Sequence, residues 1–205
     1  ARDPGLHLER DAGRGEHFGL LTAPAEHEGV TCLESHDLEA GRPMTFIHPM
    51  VRGGIYSELT AAERAQGHSH AARLLAEQPA MGERVAKHLL ATEPAGDSWV
   101  VERLAETACA VGKRGAPEAE AVFLRRALAE PPLPAERAAL LLDLGMAEAS
   151  VGHADWPEHL QSAVDTAPNA AAAAEAALVL AHALSSAHRF GKAVEVLDRA
   201  AGALD

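Results

Sequence analysis

Leu124, Leu160 and Leu197 stand 36 and 37 residues apart, and Ala127, Ala163 and Ala200 repeat the same two intervals. A period of that length marks a supersecondary unit that recurs along the chain, and such units bury their apolar faces by stacking on their neighbours. Upstream of each leucine lies a second apolar stripe at helical spacing: Val100, Leu104, Thr107, Ala108 and Val111, then Leu140, Leu144, Ala147 and Val151, then Ala177, Leu180, Ala181 and Leu184. Apolar positions at i, i+3, i+4 and i+7 bury one side of an α-helix. The pattern therefore predicts paired helices from Asp97 onward, with Leu124, Leu160 and Leu197 at equivalent buried positions on the second helix of each pair.

Composition agrees with an all-α class. Hydrophobic residues make up 47% of the 205 positions and aromatic residues only 3%. Ala and Leu dominate and β-branched residues are sparse, so most windows prefer helix. The formal net charge is -12, and the cations are scattered, so direct nucleic-acid binding begins with unfavourable electrostatics. The two cysteines, Cys32 and Cys109, are far apart and outside any metal-ligand spacing. They indicate a reducing compartment, with Cys109 read as a small buried thiol. The chain opens on polar residues and holds no long uninterrupted apolar run, so neither a signal peptide nor a membrane span is expected, and the expected location is cytoplasmic.

Three regions follow. Residues 1–40 carry Gly, Pro, Glu and His around short apolar islands and read as irregular or partly ordered. Residues 41–92 begin with Met44-Thr45-Phe46-Ile47, a candidate short strand, and then His48-Pro49, which places proline at the first position of a helix where its missing N–H costs nothing. Thr60-Ala61-Ala62-Glu63 is a capping box that opens a helix running to about Glu77, with Ala65, His68, Ala72 and Leu75 on one face. A further short helix is predicted over 81–90. Residues 97–205 form the repeat region.

The register of that region resembles the tetratricopeptide repeat, which alternates small and large residues so that two helices approach closely around one bulky side chain. Leu180-Ala181, Leu184, Ala193, Leu197 and Ala200 match best; Leu144-Gly145, Gly152, Ala163 and Pro168 match with a one-residue slip. Leu104-Ala105, Ala108, Gly112, Leu124, Ala127 and Pro132 also match, with Glu120 where a small residue is usual. The segment Gly41-Arg42-Pro43-Met44-Thr45-Phe46-Ile47-His48-Pro49-Met50-Val51-Arg52, with Ala71-Ala72-Arg73-Leu74-Leu75 and Leu124-Arg125-Arg126-Ala127-Leu128, resembles the large ATP-binding LuxR-type transcriptional regulators. The resemblance implies a winged-helix remnant followed by helical repeats. It places ATP/ADP binding and DNA binding outside this chain, which has no G-x-x-x-x-G-K-[ST] loop and no basic helix-turn-helix. Gly53-Gly54 and Pro49, the latter where the family motif has aspartate, depart from the family pattern.

Within the resemblance His48 is the one candidate site residue, a sensor that donates a hydrogen bond to ADP phosphate in the full-length protein; capping of the helix that starts at Pro49 is the other reading. Phe46, Val51 and Tyr56 read as core. The twelve histidines suggest no metal centre, because neither the spaced set His7, His17, His27 and His36 nor the pair His68 and His70 puts two ligands on one helical turn with a carboxylate. No catalytic constellation is recognisable, and the resemblance implies a regulatory function: a segment that passes the binding of a protein or small-molecule inducer to ATPase and DNA-binding domains. A free-standing adaptor that binds a peptide or protein partner is the alternative.

Overall fold

The computed structural model describes residues 49–203, apart from residue 79. The region 1–40, the candidate strand over 44–47, Phe46 and His48 lie outside the described residues. Among the described residues all regular structure is helical: α1 (Pro49–Glu58), α2 (Ala61–Ala76), α3 (Gly82–Leu89), α4 (Ser98–Gly112), α5 (Pro117–Ala129), α6 (Pro134–Val151), α7 (Trp156–Asp165), α8 (Ala170–Ser186) and α9 (Phe190–Gly202). From α2 to α9 each helix packs mainly on the one before and the one after, with a weaker contact between α6 and α8. The result is a ladder of helices joined by short turns.

The helix ends follow from local chemistry. Thr60 accepts a hydrogen bond from the Glu63 N–H at 3.2 Å, and the Glu63 carboxylate accepts one from the Thr60 N–H at 2.8 Å, so the capping box of α2 forms. Asp97 accepts from the Trp99 N–H at the start of α4, and Asn169 from the Ala172 N–H at the start of α8. Proline occupies the first turn of α5, α6 and α7. Gly152 ends α6 in the left-handed conformation at φ 74°, which a residue without Cβ adopts at little cost.

The core runs along the ladder. Leu104, Ala108, Leu124, Ala127 and Leu144 form its largest cluster, with Val85, Ala86 and Leu89 of α3 added at one end. A second cluster joins Trp156 and Leu160 to Leu180, Ala181, Leu184 and Ala193. Close approach between α6 and α7 depends on Gly145, where an added Cβ would lie 2.5 Å from Leu160 Cγ and 3.1 Å from the Leu160 backbone nitrogen. Between α4 and α5 a second close approach falls at Gly112, whose missing Cβ leaves room for the Glu120 carboxyl.

Several positions depart from the sequence reading. Leu124 and Leu160 are 1% and 0% exposed, but Leu197 is 39% exposed, so the three are not equivalent. The reason lies in the neighbours: α5 and α7 each sit between two helices, whereas α9 packs on α8 through Ala193 and Val196 and meets no later helix among the described residues. Val151, the last residue of α6, is exposed as well. Cys109 is exposed because it follows the buried Ala108 by one residue and so points about 100° away from the core side of α4. Tyr56 is also exposed, its ring packed beside His68 and under the Arg64 guanidinium, and Val51 is only partly buried.

Candidate functional site

Three polar constellations stand out. In the first, Glu130 just beyond α5 is 1% exposed. One carboxylate oxygen accepts from the N–H groups of Ala95, Gly96 and Asp97 at 2.8, 2.5 and 3.2 Å, and the other takes Arg126 at 2.9 Å. Arg126 also donates to the carbonyl and hydroxyl oxygens of Thr92. Burial pushes the Glu130 carboxyl up, but Arg126 and the turn N–H groups outweigh it and hold the group below the usual carboxylate value. This network ties the turn before α4 to the end of α5.

In the second, Glu148 of α6 is fully buried. Arg125 Nε and Nη2 reach one of its oxygens at 3.1 and 2.7 Å, and His159 Nδ1 lies 2.6 Å from the other. Helices α5, α6 and α7 are joined by this one carboxylate. The paired donors leave it no free oxygen for a substrate.

The third lies among α1, α2 and α3. Tyr56 Oη is 3.0 Å from His68 Nε2, and His68 Nδ1 is 2.8 Å from His88 Nδ1. One N–H donates across the second gap to the lone pair of the facing ring, so the pair tolerates one added proton and resists two. Burial lowers the pKa of both histidines, and His68 and Arg84 lower that of His88 further. Among the described residues no group of three or more His, Cys, Asp or Glu is placed to hold a metal ion. His48, the sequence-predicted nucleotide sensor, lies outside the described residues.

Among the described residues a half-open cleft of about 410 Å³ lies across α8, between α7 and α9. Leu180 and Leu184 form its floor, Pro157, Glu158 and Gln161 its α7 wall, and Arg189, Lys192, Glu195, Val196 and Arg199 its α9 wall. The α9 residues share a wall because steps of three or four return to one helix face. Arg125 and Arg126 are held in ion pairs, but Arg189, Lys192 and Arg199 have no ion-pair partner among the described residues. Glu158 and Glu195 face into the same cleft, also unpaired. This cleft was missed in the sequence, although the i, i+3, i+10 spacing of the three cations was a visible signal. Protein-family profiles, curated proteins and solved structures contain no match to this chain.

Proposed function

We propose that the chain is an interaction segment: a ladder of tetratricopeptide-like helix pairs that holds a partner and transmits its binding to other parts of a larger protein. The observation that carries this reading is the open cleft between α7 and α9, which combines an apolar floor with cations that have no partner among the described residues. Cleft sites with apolar lining and a few unsatisfied polar groups are where ligands bind. Helix ladders lend themselves to this use because each unit contacts mainly its neighbours, so a ligand that bridges two units changes their relative packing.

The finer reading is a helical-repeat arm of a LuxR-type ATP-binding transcriptional regulator, supported by the resemblance of residues 41–131. In that reading residues 41–92 derive from a winged-helix exit, and His48 senses ADP bound to an upstream ATPase domain. The reading frame that encodes this chain tests it. A G-x-x-x-x-G-K-[ST] loop upstream and a helix-turn-helix downstream are the expected result. A start codon just before Ala1 and a stop codon just after Asp205 would overturn the regulator and leave a free-standing adaptor.

A further inference from the structure

We infer that the cleft across α8 binds an acidic peptide segment carrying leucine-sized apolar anchors, supplied by another protein. The inference rests on the reading of the ladder as an interaction surface, and not on membership of a regulator family.

Three features of the α7–α9 cleft select that occupant. Its floor is apolar, made by Leu180 and Leu184, which are 2% and 3% exposed overall but line the cleft from below, with Val196 and Pro157 on either side. Above that floor, Arg189 at the N-cap of α9 and Lys192 and Arg199 within it stand at i, i+3 and i+10, which spreads the three charges along about 15 Å. That spread suits carboxylates distributed along a chain better than one compact anion. The third feature is pairing: Arg73, Arg103, Arg114, Arg125 and Arg126 hold carboxylates, whereas the three cleft cations, like Arg64, Arg84 and Arg137 elsewhere on the ladder, hold none among the described residues, and only in the cleft do three of them share one wall. In a chain of net charge -12, three cations left unpaired on one wall are an electrostatic preference for an incoming acid.

Glu158 and Glu195 refine the preference. Glu158 stands on the opposite wall and Glu195 between Lys192 and Arg199, so a polyanion of uniform density meets two repulsions. A peptide in which acids alternate with leucines avoids them by laying its apolar positions over the floor and its carboxylates along α9. The binding should be salt-sensitive, since all three cations are exposed and screened beyond about 8 Å at physiological ionic strength.

The test uses the full chain and a fluorescein-labelled peptide of alternating Glu and Leu, read by fluorescence anisotropy at low and physiological salt. The Glu/Leu peptide should bind and lose affinity as salt rises, and its Lys/Leu counterpart should not bind. Each rim ion pair contributes about 1.5- to 5-fold in affinity, so the variant Arg189→Gln, Lys192→Gln, Arg199→Gln should bind about 3- to 100-fold more weakly. The same number of neutralisations at Lys87, Lys113 and Arg137, all exposed and far along the chain from the cleft, should leave affinity within about twofold of the parent. Thermal melting of both triple variants controls for folding, and Val196→Ser gives a second, uncharged probe of the floor that should also weaken binding. Equal binding of the Lys/Leu peptide, or Glu/Leu binding that survives the cleft substitutions, would overturn the inference while leaving an interaction role elsewhere on the ladder. So would tighter probe binding, by tenfold or more, after Glu26, Glu28, Glu34, Asp37 and Glu39 are changed to Gln. That result would assign the cleft to this chain's own acidic stretch.

Discussion

Replacing Glu130 with alanine should cost more stability than any other single carboxylate removal among the described residues outside the Glu148 junction. Glu130 is 1% exposed and Arg126 side chain 10% exposed, so their pair is shielded from water. Alanine leaves the Arg126 guanidinium nearly buried with only Thr92 as partner, and removes the acceptor shared by the Ala95, Gly96 and Asp97 N–H groups. Breaking one side of a buried pair costs about 3–5 kcal/mol. The N–H groups add little, because Ala95 and Gly96 are exposed and can turn to water. For a helical chain of this size 1 kcal/mol moves the melting temperature by about 2–4 °C, so the expected loss is roughly 6–20 °C. Glu130→Gln keeps an oxygen for the turn but sets an amide N–H₂ against Arg126, and should cost about half as much. The pH dependence has a definite sign. The folded carboxyl titrates below its usual value, so its stabilisation is present above about pH 4.5 and is lost as pH falls through the lowered folded value. Urea unfolding of the parent and both variants from pH 7 down to about pH 2.5, below the unfolded carboxyl value, is the assay, with amide hydrogen exchange at residues 95–97 as the local readout. A loss under about 1 kcal/mol for alanine, or equal losses for alanine and glutamine, would refute the argument that a buried charge holds this turn.

Two further outcomes follow from packing and titration. Leu160→Ala should cost about 2–5 kcal/mol, whereas Leu197→Ala should cost under about 1 kcal/mol because its side chain already meets solvent; similar losses at both sites in chemical denaturation would show that α9 is covered in solution. His68 and His88 titrate below their usual value, so the packing of α1 to α3 should be firm above about pH 6.5 and loosen as pH falls through the lowered folded values. His88→Gln should flatten that part of the stability profile, and a parent profile unchanged from pH 7.5 to 5 would rule the effect out.

Much of the helical order was legible because it is local. The Thr60–Glu63 box, the prolines that open α1, α5, α6 and α7, and Gly152 each act within one turn, so their chemistry is readable from spacing alone. The buried stripe of α4, from Val100 to Val111, was legible for the same reason. The polar junctions were not. Arg125 and Arg126 are adjacent in sequence yet serve different carboxylates, Glu148 at a distance of 23 residues and Glu130 at four. The one local sign was that Glu148 follows Leu141 and Leu144 at i+7 and i+4, a core position in α6 that a carboxylate can hold only with partners from elsewhere.

The contrast between Leu160 and Leu197 shows where such reading stops. Periodicity states which residues share a helix face, and it states nothing about how many helices that face will meet. Leu160 and Leu197 keep the same distance to their following alanines, Ala163 and Ala200, so the pattern within each helix is the same. What differs is outside the helix: α7 lies between α6 and α8, and α9 packs mainly on α8 and has no following helix among the described residues. Phe190, Val194 and Leu197, at i, i+4 and i+7, are consequently exposed together along one side of α9. The cleft cations occupy another side of the same helix. The orientation that turns Arg189, Lys192 and Arg199 toward α7 is set by Ala193 and Val196 seated on α8. The seating of buried Ala193 and partly buried Val196 on α8 thus decides which charges line the cleft, so Ala193→Leu, by tilting α9 off α8, should weaken probe binding without touching a cation.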